Sequence, residues 1–288
     1  MPELPEVEAV RRELAPAMEG ARFVRVLLRR PDLRTPFPVR FAARLRGRTV
    51  RRLDRRAKYL LAVLSSDETL VMHLGMSGSF RVERGRTPVV SGFSRTTRVA
   101  TRARIDDGPH DHVVFHMSSG FRITFTDPRR FGFMDLLTPH QLAEHPALSR
   151  VGPEPLSSAF DAAALARACR GKKTSLKAAL LDQRVVAGLG NIYASEALHL
   201  ARLSPLRQAS TIATASGAPR PAAVRLAAAI KQVLEQAIAR SATAYRRGDR
   251  FRVYDRAGEP CRRANCRGTI AQRSQSGRTS FYCPTCQR

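Results

Sequence analysis

The hydrophobic and polar positions of the first part of the chain follow two different periods. Val7, Val10, Leu14 and Met18 recur every three or four residues, which predicts an amphipathic helix over 6–20 that Gly20 ends. After it the pattern shortens to β-type runs punctuated by Gly, Pro and Asp. The predicted strands cover 23–26, 49–53, 59–63, 69–72, 112–117, 121–125 and 133–137, with 118–120 as a hairpin turn. The pattern therefore predicts one helix and an antiparallel all-β domain, a sandwich or a barrel.

Prolines mark a change of pattern in the middle of the chain. Pro139, Pro146, Pro153 and Pro155 are expected to break any regular element, and the composition after them becomes rich in Ala and Leu. Helices are predicted there over 161–169, 174–184, 191–201 and 221–245. The chain thus divides into a β-rich domain over 1–138, a linker over 139–157, a helical domain over 158–248 and a short C-terminal domain over 249–288.

A glycine-rich turn lies between the second and third of these helices. Gly188 and Gly190 allow a tight turn, and Asn191 is a suitable N-cap for the next helix. Such a helix–turn–helix can present backbone N–H groups to a phosphate. The alternative is a plain helical hairpin that binds nothing, and the turn alone does not decide between them.

Four of the five cysteines lie close together in the C-terminal domain, and Cys169 is separate. Their spacing, Cys261-x4-Cys266-x16-Cys283-x2-Cys286, is typical of two knuckles that hold one structural Zn²⁺ through four thiolates. Residues 269–272 and 279–282 are predicted to form a β-ribbon between the knuckles. The alternative is a set of unliganded reduced cysteines. Cysteines this close together are not typical of a disulfide framework in a secreted protein, and a reducing cytoplasm with one metal site fits them better.

The charge balance narrows the range of partners. Among 288 residues, 50 are Lys or Arg and 24 are Asp or Glu, which gives a net charge of +26. This excess points to a polyanion, although an arginine-rich genome could by itself inflate it. A membrane is not expected as a partner, because no apolar run reaches the roughly 20 residues that span a bilayer. The arginine-rich segment 84–109 is predicted to be a basic surface loop, either solvated or in loose contact with the polyanion.

The first residues combine an amine and a carboxyl group. Removal of Met1 would leave Pro2 with a free secondary amine, and an α-amino group titrates at roughly 7.7–8.0, so it can act as a nucleophile near neutrality. Attack by such an amine on a sugar C1′ gives an imine, and Glu3 would be the adjacent acid–base partner. The alternative is an ordinary helix start, with Pro5 in the first turn and Glu6 and Glu8 at the positive end of the helix dipole.

Six motifs, in order along nearly the whole chain, resemble the bacterial formamidopyrimidine-DNA glycosylases. They are Pro-Glu-Leu-Pro-Glu-Val-Glu at 2–8, Arg-Ala-Lys-Tyr-Leu-Leu at 56–61, His-Leu-Gly-Met-Ser-Gly at 73–78, Asp-Pro-Arg-Arg-Phe-Gly at 127–132, Val-Ala-Gly-Leu-Gly-Asn-Ile-Tyr-Ala at 186–194, and the four-cysteine finger. The resemblance implies an α+β fold: an N-terminal helix with an antiparallel β-sandwich, then a helix–two-turns–helix domain and a β-ribbon zinc finger. It also implies a bifunctional glycosylase and AP lyase for oxidised purines in DNA.

The resemblance carries roles over to individual residues. Pro2 and Glu3 would be catalytic, Lys58 would bind phosphate beside them, and Arg278 would grip phosphate and support the last elimination. Residues that would contact damaged double-stranded DNA are Met76, His110, Arg129, Phe131, Lys172 and Asn191. The extruded base would leave a gap filled by Met76, Arg129 and the wedge Phe131. From the pattern alone, Met76 and Phe131 could equally be core residues. We expect a monomer in the bacterial cytoplasm.

Two features depart from the family pattern. The first knuckle has four residues between its cysteines where the family usually has two, a spacing that still suits zinc. The capping loop that would close over an extruded base looks deleted, because Ser241–Asp249 leads almost directly into Phe251. A preference for 8-oxoguanine is therefore in doubt. The alternatives to the enzyme are a non-catalytic DNA-binding or architectural zinc-finger protein and, less favoured, an RNA-binding zinc ribbon.

Overall fold

The computed structural model describes residues 2–84, 108–240, 251–275 and 277–288. The interior of the basic loop predicted over 84–109, and the shortened junction over 241–250, lie outside the described residues. The chain divides into two compact units. The β unit comprises Val10–Asp54 and Leu60–Pro139, and the helical unit comprises Pro2–Ala9, Arg55–Tyr59 and His140–Arg288.

Two four-stranded sheets form the frame of the β unit. The strands are β1 (Phe23–Leu28), β2 (Val50–Arg56), β3 (Tyr59–Leu64), β4 (Thr69–His73), β5 (Ser79–Arg84), β6 (Asp111–Met117), β7 (Phe121–Thr126) and β8 (Phe133–Leu137). One sheet has the order β1-β6-β7-β5 and the other β2-β3-β4-β8. The β6–β7 pair is antiparallel, with the predicted hairpin turn at 118–120 between its strands. The predicted antiparallel β domain is confirmed.

The β unit buries an aromatic and aliphatic core. Phe23 and Phe115, on the paired strands β1 and β6, meet edge to face with ring centroids 5.2 Å apart. Phe80 and Phe125 pack at 5.0 Å on β5 and β7. The sequence pattern did not predict β5, an edge strand in which charged residues outnumber the apolar Phe80 and Val82. It also did not predict the short helix α2 (Phe41–Leu45).

Helix α1 runs over Leu4–Met18, so it begins two residues before the predicted start. The backbone N–H of Glu3 donates to Glu6 Oε2 at 2.9 Å, which is one half of a capping box. Pro5 lies in the first turn, where a missing N–H costs nothing. The helix start is therefore real, and it leaves the Glu3 side chain free to bind elsewhere.

The helical unit is built on an Ala- and Leu-rich core. Its helices are α3 (Pro139–Glu144), α4 (Ala162–Cys169), α5 (Leu176–Leu181), α6 (Asn191–Leu200) and α7 (Pro221–Ala239). Phe160, Leu180 and Leu198 are among its fully buried side chains. Helix α3 corrects the prediction that Pro139 would break any regular element, because proline is tolerated at a first helical turn. No helix in the described ranges is long and apolar enough to cross a membrane.

A two-stranded antiparallel ribbon ends the chain. Its strands are β9 (Ala271–Gln275) and β10 (Arg278–Tyr282), paired from Arg278 with Gln275 to Tyr282 with Ala271. The first strand starts two residues later than the predicted 269–272, because Thr269 forms an isolated bridge with Pro260 instead. Buried Val253, Ile270 and Phe281 make a small core beside the cysteines.

Candidate active site

The carboxyl group of Glu3 is buried against the start of helix α6. Its Oε1 accepts the backbone N–H of Ile192 at 2.8 Å, and its Oε2 accepts that of Tyr193 at 3.4 Å. These are unpaired amides of the first helical turn, at the positive end of the helix dipole. Glu3 is 2% exposed. Its side chain thus caps α6 in place of the N-cap residue's own side chain, from a distant part of the sequence.

This arrangement corrects the prediction that Asn191 caps the helix. The N-cap position belongs to Gly190, which has no side chain to accept a hydrogen bond, and Asn191 is the first helical residue. A Cβ atom on Gly190 would overlap the carboxyl group of Glu3, and one on Gly188 would overlap the side chain of Leu4. Gly188 also has φ +74°. The two glycines therefore give the N-terminal segment room to dock.

Lys58 lies in the turn between β2 and β3. Ala57 beside it adopts φ 52°. The carboxylate of Glu154 holds this turn. Its Oε1 accepts the backbone N–H of Ala57 at 2.6 Å and a guanidinium N–H of Arg56 at 3.1 Å, and its Oε2 accepts a guanidinium N–H of Arg55 at 2.8 Å. The tight turn fixes the direction of the Lys58 side chain, which is 8% exposed.

Burial shifts the pKa values of this group. Desolvation raises the pKa of Glu3, although the charge of Lys58 and the backbone amides oppose the shift. Desolvation lowers the pKa of Lys58, against the charge of Glu3 and together with that of Arg278. The pKa of Glu6 rises to about 7, mainly through burial, although its hydrogen bond from the Tyr193 hydroxyl opposes this. A carboxyl group that can hold a proton near neutrality is what acid–base catalysis requires.

Lys177 joins the site from α5 and was not predicted. It is 1% exposed, and its Nζ donates to the Thr279 carbonyl and to Ser280 Oγ, both at 2.9 Å. The Asn191 amide donates to the same Thr279 carbonyl at 3.1 Å. Burial lowers the pKa of Lys177 to about 8, opposed by the charge of Glu3 and assisted by that of Arg278. The exposed Arg278 is thus presented by a strand that Lys177 and Asn191 anchor.

Four residues of this group were not predicted as site residues: Glu6, Glu154, Lys177 and Tyr193. Glu6 and Tyr193 lie within motifs of the family resemblance, but no role was carried over to them. Glu154 and Lys177 look like ordinary loop and helix positions, and only the folded chain shows that Lys177 is buried and that Glu154 holds a distant turn. A Lys placed on the apolar face of a short helix was the one available sign for Lys177. Lys172, which was predicted, forms an ion pair with Asp182 at 4.0 Å, a residue that was not predicted. Among the described residues it forms no ion pair with a predicted site residue.

The four predicted zinc ligands converge. The sulfur atoms of Cys261, Cys266, Cys283 and Cys286 all lie within 4.8 Å of one another. Two pairs are separated by 3.9 Å (Cys261 and Cys286) and 3.7 Å (Cys266 and Cys283). Tetrahedral zinc with Zn–S bonds of about 2.3 Å requires sulfur atoms roughly 3.8 Å apart. The donor set and its spacing therefore fit one zinc ion, and the longer first knuckle does not prevent it.

The remaining predicted residues lie on turns of the β unit. The carboxylate of Asp127, which is fully buried, accepts hydrogen bonds from the Ser77 hydroxyl at 2.5 Å and from the backbone N–H of Gly132 at 2.8 Å. Its own N–H donates to the His110 carbonyl at 3.0 Å. A Cβ on Gly75 would overlap the backbone of Phe131. These bonds hold the turns that carry Met76, His110, Arg129 and Phe131 together.

The side chains at the tips of these turns point into solvent. Met76 is 41% exposed and Phe131 is 42% exposed, so the alternative that they are core residues is wrong. The Arg129 guanidinium lies 4.7 Å from the centroid of the Phe131 ring, a cation–π pair. Large apolar side chains held in solvent by a polar scaffold indicate a binding surface.

The chain matches family models along most of its length. The "Formamidopyrimidine-DNA glycosylase N-terminal domain" matches residues 1–134, the "Formamidopyrimidine-DNA glycosylase H2TH domain" residues 151–248, and the "Zinc finger found in FPG and IleRS" residues 258–288. Proteins named formamidopyrimidine-DNA glycosylase from Bradyrhizobium sp. ORS 278 and Rhodopseudomonas palustris HaA2 are each 55% identical, with 100% of both chains covered.

Solved structures agree. The Lactococcus lactis enzyme, bound non-covalently to DNA with an AP site, matches with a TM-score of 0.81, 28% identity and 99% coverage of both chains. The Thermus thermophilus protein matches with a TM-score of 0.78 and 37% identity, over 99% of this chain and 98% of that one. The predicted α+β fold is confirmed, and the chain belongs to the formamidopyrimidine-DNA glycosylase family of bifunctional DNA glycosylases and AP lyases.

Proposed function

We propose that this chain removes oxidised or ring-opened purines from double-stranded DNA and then cleaves the strand, with Pro2 as the nucleophile. One observation carries the proposal. The residue after Pro2 carries a carboxyl group, buried at a helix N-terminus and close enough to Lys58 for each to shift the pKa of the other. Capping of α6 explains the hydrogen bonds of Glu3, but it does not require a buried lysine beside the carboxyl group, so the plain structural interpretation does not account for the pair.

The reaction assigns one step to each group. After removal of Met1, the Pro2 nitrogen attacks C1′, the C1′–base bond breaks with its electron pair leaving on the base, and the proton displaced from the Pro2 nitrogen neutralises the departing base. Glu3, whose pKa is raised, donates a proton to the sugar ring oxygen, the ring opens and an iminium ion links C1′ to Pro2. The iminium ion acidifies the C2′ proton. Loss of that proton expels the 3′ phosphate, and a second elimination expels the 5′ phosphate.

The basic side chains hold phosphates in this scheme. Lys58 binds the phosphate beside the scissile sugar, and Arg278 grips the phosphate that leaves last. His110, Lys172 and Asn191 contact the DNA backbone. Met76, Arg129 and Phe131 fill the gap left by the extruded nucleotide, with Phe131 as the wedge and Arg129 paired with the orphaned base. The exposure of Met76 and Phe131 supports this role.

The four clustered cysteines bind one structural zinc ion in this proposal. The four thiolates leave no open coordination position, so the metal holds the ribbon and takes no part in the chemistry. The ribbon in turn presents Arg278. Metal analysis of the purified protein should find one zinc per chain, and Cys283→Ser should release it and abolish specific DNA binding. A wild-type protein without zinc would contradict this ligand set.

Trapping of the imine tests the catalytic assignment. Borohydride should link the wild-type protein covalently to a duplex with an abasic site, through Pro2 as located by peptide mass spectrometry. Pro2→Gly should lose most of the lyase activity and keep its DNA affinity, because binding is spread over other residues. Fully active enzyme that retains Met1 would refute Pro2 as the nucleophile. A wild type that binds DNA and yields no trapped product would favour the non-catalytic architectural protein.

The preferred lesion follows from the shortened junction, which lies outside the described residues. A cap that forms hydrogen bonds with the extruded base discriminates strongly, because a wrong base leaves buried polar groups unpaired. Without it we expect robust cleavage of abasic sites, processing of ring-opened purines, and slower excision of 8-oxoguanine. Single-turnover rates on matched duplexes measure this. Excision of 8-oxoguanine as fast as abasic cleavage would show that the loop is dispensable or replaced.

Two further expectations concern the working state. We propose that the protein acts as a monomer in the cytoplasm, bound to chromosomal DNA through its charge of +26. Because phosphate contacts dominate such binding, affinity should fall steeply with salt. Sedimentation of the free protein and of its complex with a short duplex measures the oligomeric state, and a dimer in the complex would contradict the proposal.

A further inference from the structure

Helix α6 touches the candidate catalytic carboxyl group at one end and the cysteine cluster at the other. Its first amides bind Glu3. The second-to-last residue of α6 is His199, which is 1% exposed. A ten-residue helix is about 15 Å long, so one short, rigid element connects the Glu3 carboxyl group with the cysteine cluster. His199 has no part in the chemistry described above.

The imidazole of His199 lies against two of the four thiols. Its Nε2 is 3.3 Å from Cys261 Sγ and 3.8 Å from Cys286 Sγ. Its Nδ1 is buried and has no hydrogen-bond partner among the described residues. A proton on Nδ1 would bury an unpaired donor and direct the Nε2 lone pair at sulfur, whereas a proton on Nε2 gives an N–H···S hydrogen bond. The second tautomer is favoured.

The longer first knuckle also contacts the C-terminal end of α6. Arg263, one of the residues between Cys261 and Cys266, donates through Nη2 to the carbonyls of His199 and Leu200. These are among the last carbonyls of α6, which have no partner within the helix and attract a cation. The knuckle therefore caps the helix, and the helix places His199 at the thiols.

We propose that His199 is a positioning residue of the zinc ribbon, which donates its Nε2–H to the Cys261 thiolate and so couples metal binding to the placement of α6. It is not a fifth ligand, because the four sulfur atoms already make a complete tetrahedral set. A donor to a ligating thiolate reduces its charge and fixes its orientation. Loss of such an outer hydrogen bond typically lowers metal affinity by about 10- to 100-fold.

Two substitutions separate the hydrogen bond from packing. His199→Phe fills the space without a donor, and His199→Gln keeps an amide N–H at a similar reach. In the full-length protein, chelator competition should show zinc bound about 10- to 100-fold more weakly by the Phe variant and within a few fold of wild type by the Gln variant. With Co²⁺ in the site, the sulfur-to-metal charge-transfer band should shift in the Phe variant and be restored in the Gln variant.

Arg263→Met is the matched control. It removes the cap on α6 and leaves the donor at the thiolate, so it should lower thermal stability without moving the Co²⁺ band. If His199→Phe leaves both the band and the zinc affinity unchanged, or if His199→Gln behaves like it, the hydrogen bond is refuted. X-ray absorption that finds a nitrogen among the four zinc ligands would also overturn the proposal, because His199 would then be a ligand.

A measurement on the wild type keeps the test valid if the Phe variant fails to fold. In protein loaded with ¹¹³Cd, a proton shared between Nε2 and a thiolate gives a scalar coupling between that proton and the metal through the sulfur. Detection of this coupling on the His199 imidazole confirms the bond. A His199 ring that carries its proton on Nδ1 and shows no coupling refutes it. Neither result depends on the proposed glycosylase chemistry.

Discussion

In the β unit, the turns that carry Met76, Arg129 and Phe131 are built on the opposite principle to the Glu3 group of the helical unit. Phe131 is apolar and 42% exposed, and it stands on a buried polar support, Asp127. Glu3 is ionisable and 2% exposed, and its support is the first turn of a helix. In one region hydrogen bonds hold an apolar group in water, and in the other they hold an ionisable group out of water.

The difference predicts how each region responds to substitution. An exposed wedge contributes little to the free energy of unfolding, so its loss should affect DNA alone. A buried carboxyl group is coupled to its surroundings through desolvation and hydrogen bonds, so its loss should change chemistry, pKa values and stability together. Substitutions in the two regions should therefore be separable by measuring activity and unfolding on the same samples.

The largest effect is expected at Glu3. Glu3→Gln keeps one oxygen, which can accept the shorter bond from the Ile192 N–H, and loses only the longer bond from Tyr193. The fold should therefore survive, but the side chain can no longer donate and accept a proton. General acid–base groups contribute about 10²- to 10⁴-fold, so we expect about a 10³-fold loss of base excision in single-turnover assays. Thermal unfolding and DNA affinity on the same sample serve as controls. An excision rate within tenfold of wild type would remove Glu3 from the mechanism.

Gly190→Ala tests whether the position of Glu3, and not only its chemistry, matters. The added methyl group would overlap the Glu3 carboxyl group, although the backbone at Gly190, with φ −134°, tolerates alanine. Because a displacement of about 1 Å can cost roughly 100-fold in rate, we expect a loss of about that size. Gly108→Ala is the matched control, since its Cβ would meet nothing nearer than 3.8 Å. Equal rates for the two variants would contradict the close packing.

The sequence predicted the cysteine cluster and most of the strands better than it predicted the supports of the candidate site. The cysteine spacing is a local pattern, and the four sulfur atoms do converge. The β-type pattern predicted seven strands, and it failed at β5, where three of the six residues are charged. These are features that a window of a few residues contains.

The supports depend on contacts between distant parts of the chain, which no local pattern encodes. The cap of α6 comes from Glu3, 189 residues before Ile192, so a rule that favours a nearby Asn chose the wrong residue. Lys177 and Glu154 are charged residues in unremarkable positions, and only the folded chain shows that they are buried or bridge two segments. The family resemblance supplied the proposed roles, and the structure shows which contacts hold those residues.

Phe131→Ala should give a smaller and more selective effect. Removal of the wedge makes it harder to keep a nucleotide out of the stack, which costs a few kcal/mol per step, so we expect about a tenfold slower excision from duplex DNA. Cleavage of an abasic site in single-stranded DNA has no stack to open and should stay near the wild-type rate. The midpoint of thermal unfolding should also be unchanged, because the ring is exposed. A clear drop in that midpoint would show that Phe131 supports the fold, against the contrast drawn above.

The smallest effect on catalysis, and a measurable one on stability, is expected at Glu6. Its pKa is raised from 4.5 to about 7 in the folded protein, so between these values the unfolded chain loses its proton first. The free energy of unfolding should therefore fall as pH rises from about 4.5 to 7 and then level off, by about 3 kcal/mol at most for this shift. Glu6→Gln cannot ionise and should lack this contribution. The difference between variant and wild type in denaturant unfolding should thus change steadily across that window. A constant difference would mean that Glu6 ionises as it does in water, and that the buried acidic group is limited to Glu3.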